Sequence, residues 1–274
     1  IGLGATWLPG DKGTHYLNAY FRSGDQEVLT ADAVLTQKNG RDSLEVNTTF
    51  EHFPLSLANA FMPDQVVTFT GDIDGGLYIN GDMEKPKMSG DLSLDSVSVY
   101  ARQAGARYWF DNRPLKIENN QLIFNKFAIY TTSRNPFTID GNVDFRNMDR
   151  PTANLTLRAQ NYTLLDAPRT RESMLYGKIF VDLNATVRGP LDGLTMRGNM
   201  NLLGNTDVTY VLTDSPLTVE DRLGELVTFT SFTDTTSVQA TEVPTMSLGG
   251  MDMLMSVHID DAVRLRADLS PDRS

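Results

Sequence analysis

The chain has 274 residues, 40% hydrophobic and 22% charged, which leaves enough apolar area for a folded core and too little charge density for disorder. A formal net charge of −11 repels a phosphate backbone, and no arginine-lysine cluster with interleaved aromatics reverses this locally, so nucleic acid is excluded as a partner. Cysteine is absent, which removes disulfides, thiolate metal sites and a cysteine nucleophile together, and no apolar run of about 18 residues is present to cross a bilayer as a helix.

Taken in chain order, the dominant hydrophobic period is two, which predicts an all-β fold of half-buried strands. Lys38-Asn39-Gly40 marks a turn, and Pro54 to Met62, stopped by Pro63, predicts a short helix. Asn80-Gly81 predicts another turn. Leu92, Leu94, Val97, Val99 and Ala101 then alternate with polar partners, with one slip between Leu94 and Val97 that fits a turn or a bulge. Asp140-Gly141 reads as a turn, and Leu155, Leu157 and Ala159 as a strand. The stretch from Tyr162 to Leu175 predicts a second helix. Ile179, Val181, Leu183, Ala185 and Val187 give the longest clean alternation, closed by a turn at Arg188-Gly189-Pro190. A further turn is expected at Leu203-Gly204-Asn205, and a third short helix over Val219 to Leu226. Met253, Met255, Val257 and Ile259, followed by Val263, Leu265, Ala267 and Leu269, predict a hairpin about Asp260-Asp261.

One cadence recurs. Gly71-Asp72-Ile73-Asp74-Gly75 leads to Gly81 and then Met88-Ser89-Gly90-Asp91-Leu92; Gly177-Lys178-Ile179-Phe180-Val181 leads to Gly189 and then Met196-Arg197-Gly198-Asn199-Met200. The later glycines keep their spacing at an offset of roughly 108 residues, the mark of stacked like units. This predicts one continuous β segment over 1–274, with repeat units at about 43–142 and 154–230. The chain starts at Ile1 and stops on a turn-like Asp268 to Ser274, so it reads as a segment of a longer protein.

Motifs for chemistry are missing. His15, His52 and His258 are scattered and lie in no zinc-peptidase pattern, and no nucleophile elbow, P-loop or dinucleotide fingerprint occurs. Asp72-Ile73-Asp74-Gly75-Gly76 resembles a calcium loop only superficially, since its acids and glycines miss the known spacings. The expectation is a protein with no catalytic residue, no metal and no cofactor. Alternation by itself fits the inner faces of a closed, dry β-sandwich that binds a partner at its rim better than it fits an open trough.

The glycine cadence leading to Pro86-Lys87-Met88-Ser89-Gly90-Asp91-Leu92-Ser93-Leu94, with Pro114 to Phe124, Phe137 to Val143, Tyr176-Gly177-Lys178-Ile179 and Val257-His258-Ile259-Asp260-Asp261, resembles the C-terminal region of the TamB family of AsmA-like proteins. The resemblance implies a β-taco, a sheet bent into a U around an apolar groove. It implies a periplasmic conduit for phospholipid in a Gram-negative bacterium, and a factor in outer-membrane protein assembly. It further implies an inner-membrane anchor outside this segment and a BamA-type outer-membrane barrel as partner of the full-length protein. On that reading the lining that meets phospholipid acyl chains is Leu92, Leu94, Ile117, Leu122, Phe124, Ile129, Leu155 and Leu157, continuing through Ile179, Val181, Leu183, Met200, Leu202, Met253, Met255 and Val257.

Overall fold

The computed structural model describes residues 1–38, 41–62, 67–102, 105–170, 175–211, 246–248 and 251–268. Strands dominate them, joined in a single 17-stranded sheet, with short 3-10 segments at Asp11–Gly13 and Leu55–Phe61. The first half is an antiparallel meander. β1 (Gly2–Pro9), β2 (Thr14–Ser23), β3 (Gln26–Lys38), β4 (Arg41–Pro54), β5 (Val67–Asp82) and β6 (Lys87–Ala101) each pair with the next. Two short strands, β7 (Ala106–Phe110) and β8 (Leu115–Glu118), lie end to end along β6, and β9 (Gln121–Tyr130) pairs with both.

The meander resumes through β10 (Phe137–Asp144), β11 (Thr152–Ala167) and β12 (Leu175–Pro190). β12 is edged by another end-to-end pair, β13 (Thr195–Leu202) and β14 (Asp207–Val211). β16 (Met251–Ile259) and β17 (Arg264–Asp268) run parallel to that pair, and β15 (Met246–Leu248) pairs antiparallel with the start of β16.

The parallel pairing corrects the hairpin expected about Asp260-Asp261. A local turn does form there, Val263 donating to the Asp260 carbonyl at 3.1 Å, but the chain leaves it in the direction it entered. Leu203 to Thr206 makes the matching break between β13 and β14, so the two interruptions lie side by side and the register is the same before and after them.

The helix expected from Tyr162 to Leu175 is also overturned, since β11 runs on to Ala167. Register shifts between Ala159 and Tyr162 and between Thr163 and Leu165 space the apolar residues three apart, and that spacing imitates a helix. Asn80-Gly81 and Asp140-Gly141 sit inside strands rather than at turns. The segment after Pro54 forms a 3-10 turn, not an α-helix, and Val219 to Leu226 lies outside the described residues.

Candidate functional site

In an antiparallel or parallel ladder, residues opposite one another project to the same face, so the registers sort every strand position into one of two surfaces. One surface carries Leu3, Ala5 and Trp7 of β1, then Leu17, Ala19 and Phe21, Ala33 and Leu35, Val46 and Phe50, and Ile73, Leu77 and Ile79. It continues through Leu92 and Leu94, Ile117, Leu122, Phe124 and Ile129, Ile139 and Val143, and Leu155 and Leu157. Ile179, Val181 and Leu183, Met200 and Leu202, and Met253, Met255 and Val257 complete it. All sixteen residues named above as a lining therefore share a face. Ile117 and Val181 are buried, Val257 is exposed, and the others are half-buried.

Charge is absent from almost all of this surface. Among the described residues, the Asp, Glu, Lys or Arg found on it is Asp42, at the end of β4, where it accepts a hydrogen bond from Gln37 at 3.1 Å. Among the described residues the imidazole on it is His15, which lies beside Trp7 with ring centroids 5.0 Å apart and whose buried Nδ1 has no hydrogen-bond partner among them. In a chain that is 22% charged, a face this long without ions requires strict period-two placement in strand after strand. Two clusters concentrate the buried side chains. Ala159, Tyr162 and Val181 pack with Phe137, Ile179, Leu183, Met200 and Leu202, and Ala106, Leu165, Ala167 and Val208 pack with Tyr108, Leu175 and Ile179.

Two devices bend the strands that carry the face. The first is a bulge closed by an aspartate from the neighbouring strand. His52, Lys126 and Asn161 have φ of 48°, 48° and 44°, and their backbone N–H groups donate to Asp74, Asp140 and Asp182 at 2.7, 2.8 and 2.7 Å. Each bulge adds residues to one strand and increases its local bend and twist. The second device is glycine on the apolar face. At Gly90 (φ +154°) and Gly141 (φ +124°) a Cβ would lie 2.1 Å from the carbonyl oxygens of Gly76 and Asn154, so no L side chain fits there without moving the next strand. Such glycines together with bulges are how curved sheets are made.

The cadence glycines Gly71, Gly75, Gly81 and Gly90 project to the apolar face, as do Gly177, Gly189 and Gly198. The β5–β6 and β12–β13 hairpins thus carry them at comparable places.

The opposite surface takes the polar residues, including Asp72 and Asp74 of the calcium-like stretch. There the fold assembles His52, Asp74 and Asp95, whose potential ligand atoms lie within 4.8 Å of one another. Asp74 is already engaged by the His52 N–H, and its Oδ2 is 3.2 Å from the imidazole Nδ1. The three come from three strands, so no sequence spacing announces them. His258 stands exposed on the same polar surface, opposite Asn201.

No helix among the described residues is long and apolar enough to cross a membrane. No curated protein matches the chain, and no solved structure matches it. A family model described as TamB C-terminal domain matches residues 125–271, more than half of the sequence, and the chain belongs to the TamB family of bacterial envelope proteins.

Proposed function

We propose that this chain is a non-enzymatic conduit segment in which the bent, ion-free sheet face forms a groove and carries phospholipid acyl chains across the periplasm. The observation that carries the reading is that face, uncharged from β1 to β17 but for Asp42 at its margin. An exposed acyl chain costs about 0.8 kcal/mol per CH₂ in water, so moving a lipid between membranes requires apolar cover along the whole route. Half-buried Leu, Ile, Val, Phe and Met side chains supply that cover while keeping surface available to a guest. Methionines at 200, 253 and 255 adapt to acyl chains of different shape. The polar surface keeps the outside wet, and Gly90, Gly141 and the aspartate-closed bulges provide the curvature that a trough needs.

On this reading chemistry is not localised, and no residue acts as a catalyst. Repeat units at about 43–142 and 154–230 lengthen the groove by stacking. A membrane anchor outside this segment, a BamA-type barrel partner and a part in outer-membrane protein assembly belong to the full-length protein in the periplasm of a Gram-negative bacterium. Native mass spectrometry of protein purified from bacteria tests the groove. Stoichiometric phospholipid is expected, and its absence at every detergent-free preparation would favour a dry docking module instead.

A further inference from the structure

We infer that the polar surface opposite the groove holds a glycan-binding cleft on β10 to β13. A cleft of about 690 Å³ opens there, lined by Thr138, Arg158, Asp182, Asn184, Asn199 and Asn201 among others. The volume is in the range of small-ligand sites. The registers place these residues in two adjoining rows. Thr138 faces Arg158, Arg158 faces Asn184 and Asn184 faces Asn199; Asp182 faces Asn201. Ser256 and His258 extend the rows onto β16.

Solvation alone does not account for this choice of residues. Asparagine is disfavoured in strands, whereas threonine serves equally well on a wet strand face. Asn184, Asn199 and Asn201 are exposed, and no side-chain hydrogen bond links any of them to another described residue. They therefore incur the propensity cost without a local return, and such local inconsistency concentrates at functional positions.

The donor set selects the ligand class. Each carboxamide offers two N–H donors and an acceptor oxygen in one plane with no net charge. The charged groups beside them are few and already engaged. Arg158 pairs with Asp140 at 3.5 Å, and Asp182 accepts the Asn161 N–H at 2.7 Å. The guanidinium is already paired, which leaves phosphate no vacant counter-charge; Asp182 keeps its formal charge but stands alone, short of the several oxygen ligands a hard cation takes, and an extended peptide would seek a sheet edge rather than a face. Neutral carboxamides in rows match vicinal hydroxyl and acetamido groups, so the occupant is a neutral chain of N-acetylated sugars.

The experiment is titration of the intact chain with chitotetraose, the tetramer of N-acetylglucosamine, followed through the side-chain amide resonances of asparagine. Saturable shifts confined to the outward asparagines of β12 and β13 are expected. Replacing Asn184→Thr together with Asn199→Thr weakens binding by about tenfold or more, with the melting temperature unchanged or raised because threonine is the better strand former. Asn142→Thr with Asn154→Thr changes the same chemistry on a facing pair outside the cleft and leaves binding intact. No saturable shift at millimolar sugar, or equal loss in both double variants, overturns the inference. Phospholipid carry-over is unaffected by either pair, which separates this site from the groove.

Discussion

Lys126, held at φ 48° in the middle of β9, shows how far single residues are bent to the needs of the sheet. A left-handed backbone costs an L residue about 1–2 kcal/mol, and asparagine and glycine bear it best. Lys126→Gly is expected to raise stability by roughly 0.5–1 kcal/mol, the strain relief outweighing the entropy lost on folding. Asn161→Val, at the equivalent bulge in β11, is expected to lower it by about 1–2 kcal/mol. Asp140→Ala removes a charged acceptor from the Lys126 N–H and costs about 1–2 kcal/mol, reduced from the buried value because solvent reaches the site. Urea midpoints at constant slope measure all three. A Lys126→Gly chain no more stable than the parent would show that the bulge conformation carries no strain.

Tyr162 offers a second test at this scale. Burial pushes its phenol up to about 12, and the neighbouring Tyr108 adds to the shift. In the unfolded chain the same group ionises near pH 10. Between these values the unfolded state sheds a proton that the folded state keeps, so stability present below pH 10 drains away as pH rises toward 12. Tyr162→Phe should flatten that alkaline decline. Identical slopes in the two chains would mean that the phenol is solvated.

Among the elements, the paired interruptions of β13–β14 and β16–β17 distinguish this sheet from a plain meander. Asn201 and His258 are direct partners across the parallel pair and both face outward. Cysteines at those two positions should oxidise to a disulfide readily, since adjacent-strand Cα separations suit one. Leu254 and Ala267 would be partners in a hairpin about Asp260-Asp261. In the observed arrangement they are about 40 Å apart along one strand direction, so cysteines there should not join. Cross-linking of the second pair and not the first would restore the hairpin.

The same elements explain which features the sequence discloses. Alternation in β6, β11, β12 and β16 groups apolar residues that the registers place on one face, because a strand with one wet face must repeat every two residues. Where bulges interrupt β11 at Asn161 and Leu164 the period shifts, and Tyr162, Leu165 and Ala167 imitate a helix. Asp140-Gly141 has the composition of a hairpin turn, yet the strand continues through it, because Asp140 caps a bulge and Gly141 admits the backbone of β11. Asp260-Asp261 does mark a turn; the direction the chain takes after a turn depends on partners distant in sequence. The asparagine rows and the His52, Asp74 and Asp95 group are assembled only by register across strands, so nothing local reveals them.

At the scale of the molecule, roughly fourteen rungs among the described residues, spaced about 4.8 Å apart, carry the face that is free of ions but for Asp42 over about 60 Å. On the conduit reading a route of this length would work in series, and that property separates a conduit from any localised site. Leu94, Leu157 and Leu202 stand at three separate places on the face and are half-buried. If the conduit reading holds, a glutamate at any one of them sets a charge in the acyl path, whose desolvation costs several kcal/mol when a lipid covers it. In the empty protein the same carboxylate can still reach water, so folding should weaken by only about 1–2 kcal/mol. Leu94→Glu, Leu157→Glu and Leu202→Glu, each placed singly in the full-length protein, are therefore expected to abolish restoration of the outer-membrane barrier in cells lacking it, with the protein still present at normal levels. The opposite-face neighbours Ser93→Gln and Thr156→Gln should restore it fully. A single sensitive position out of the three would locate a discrete site and end the conduit reading, while aggregation of all three glutamate variants would mean that the face is sealed inside a dry core.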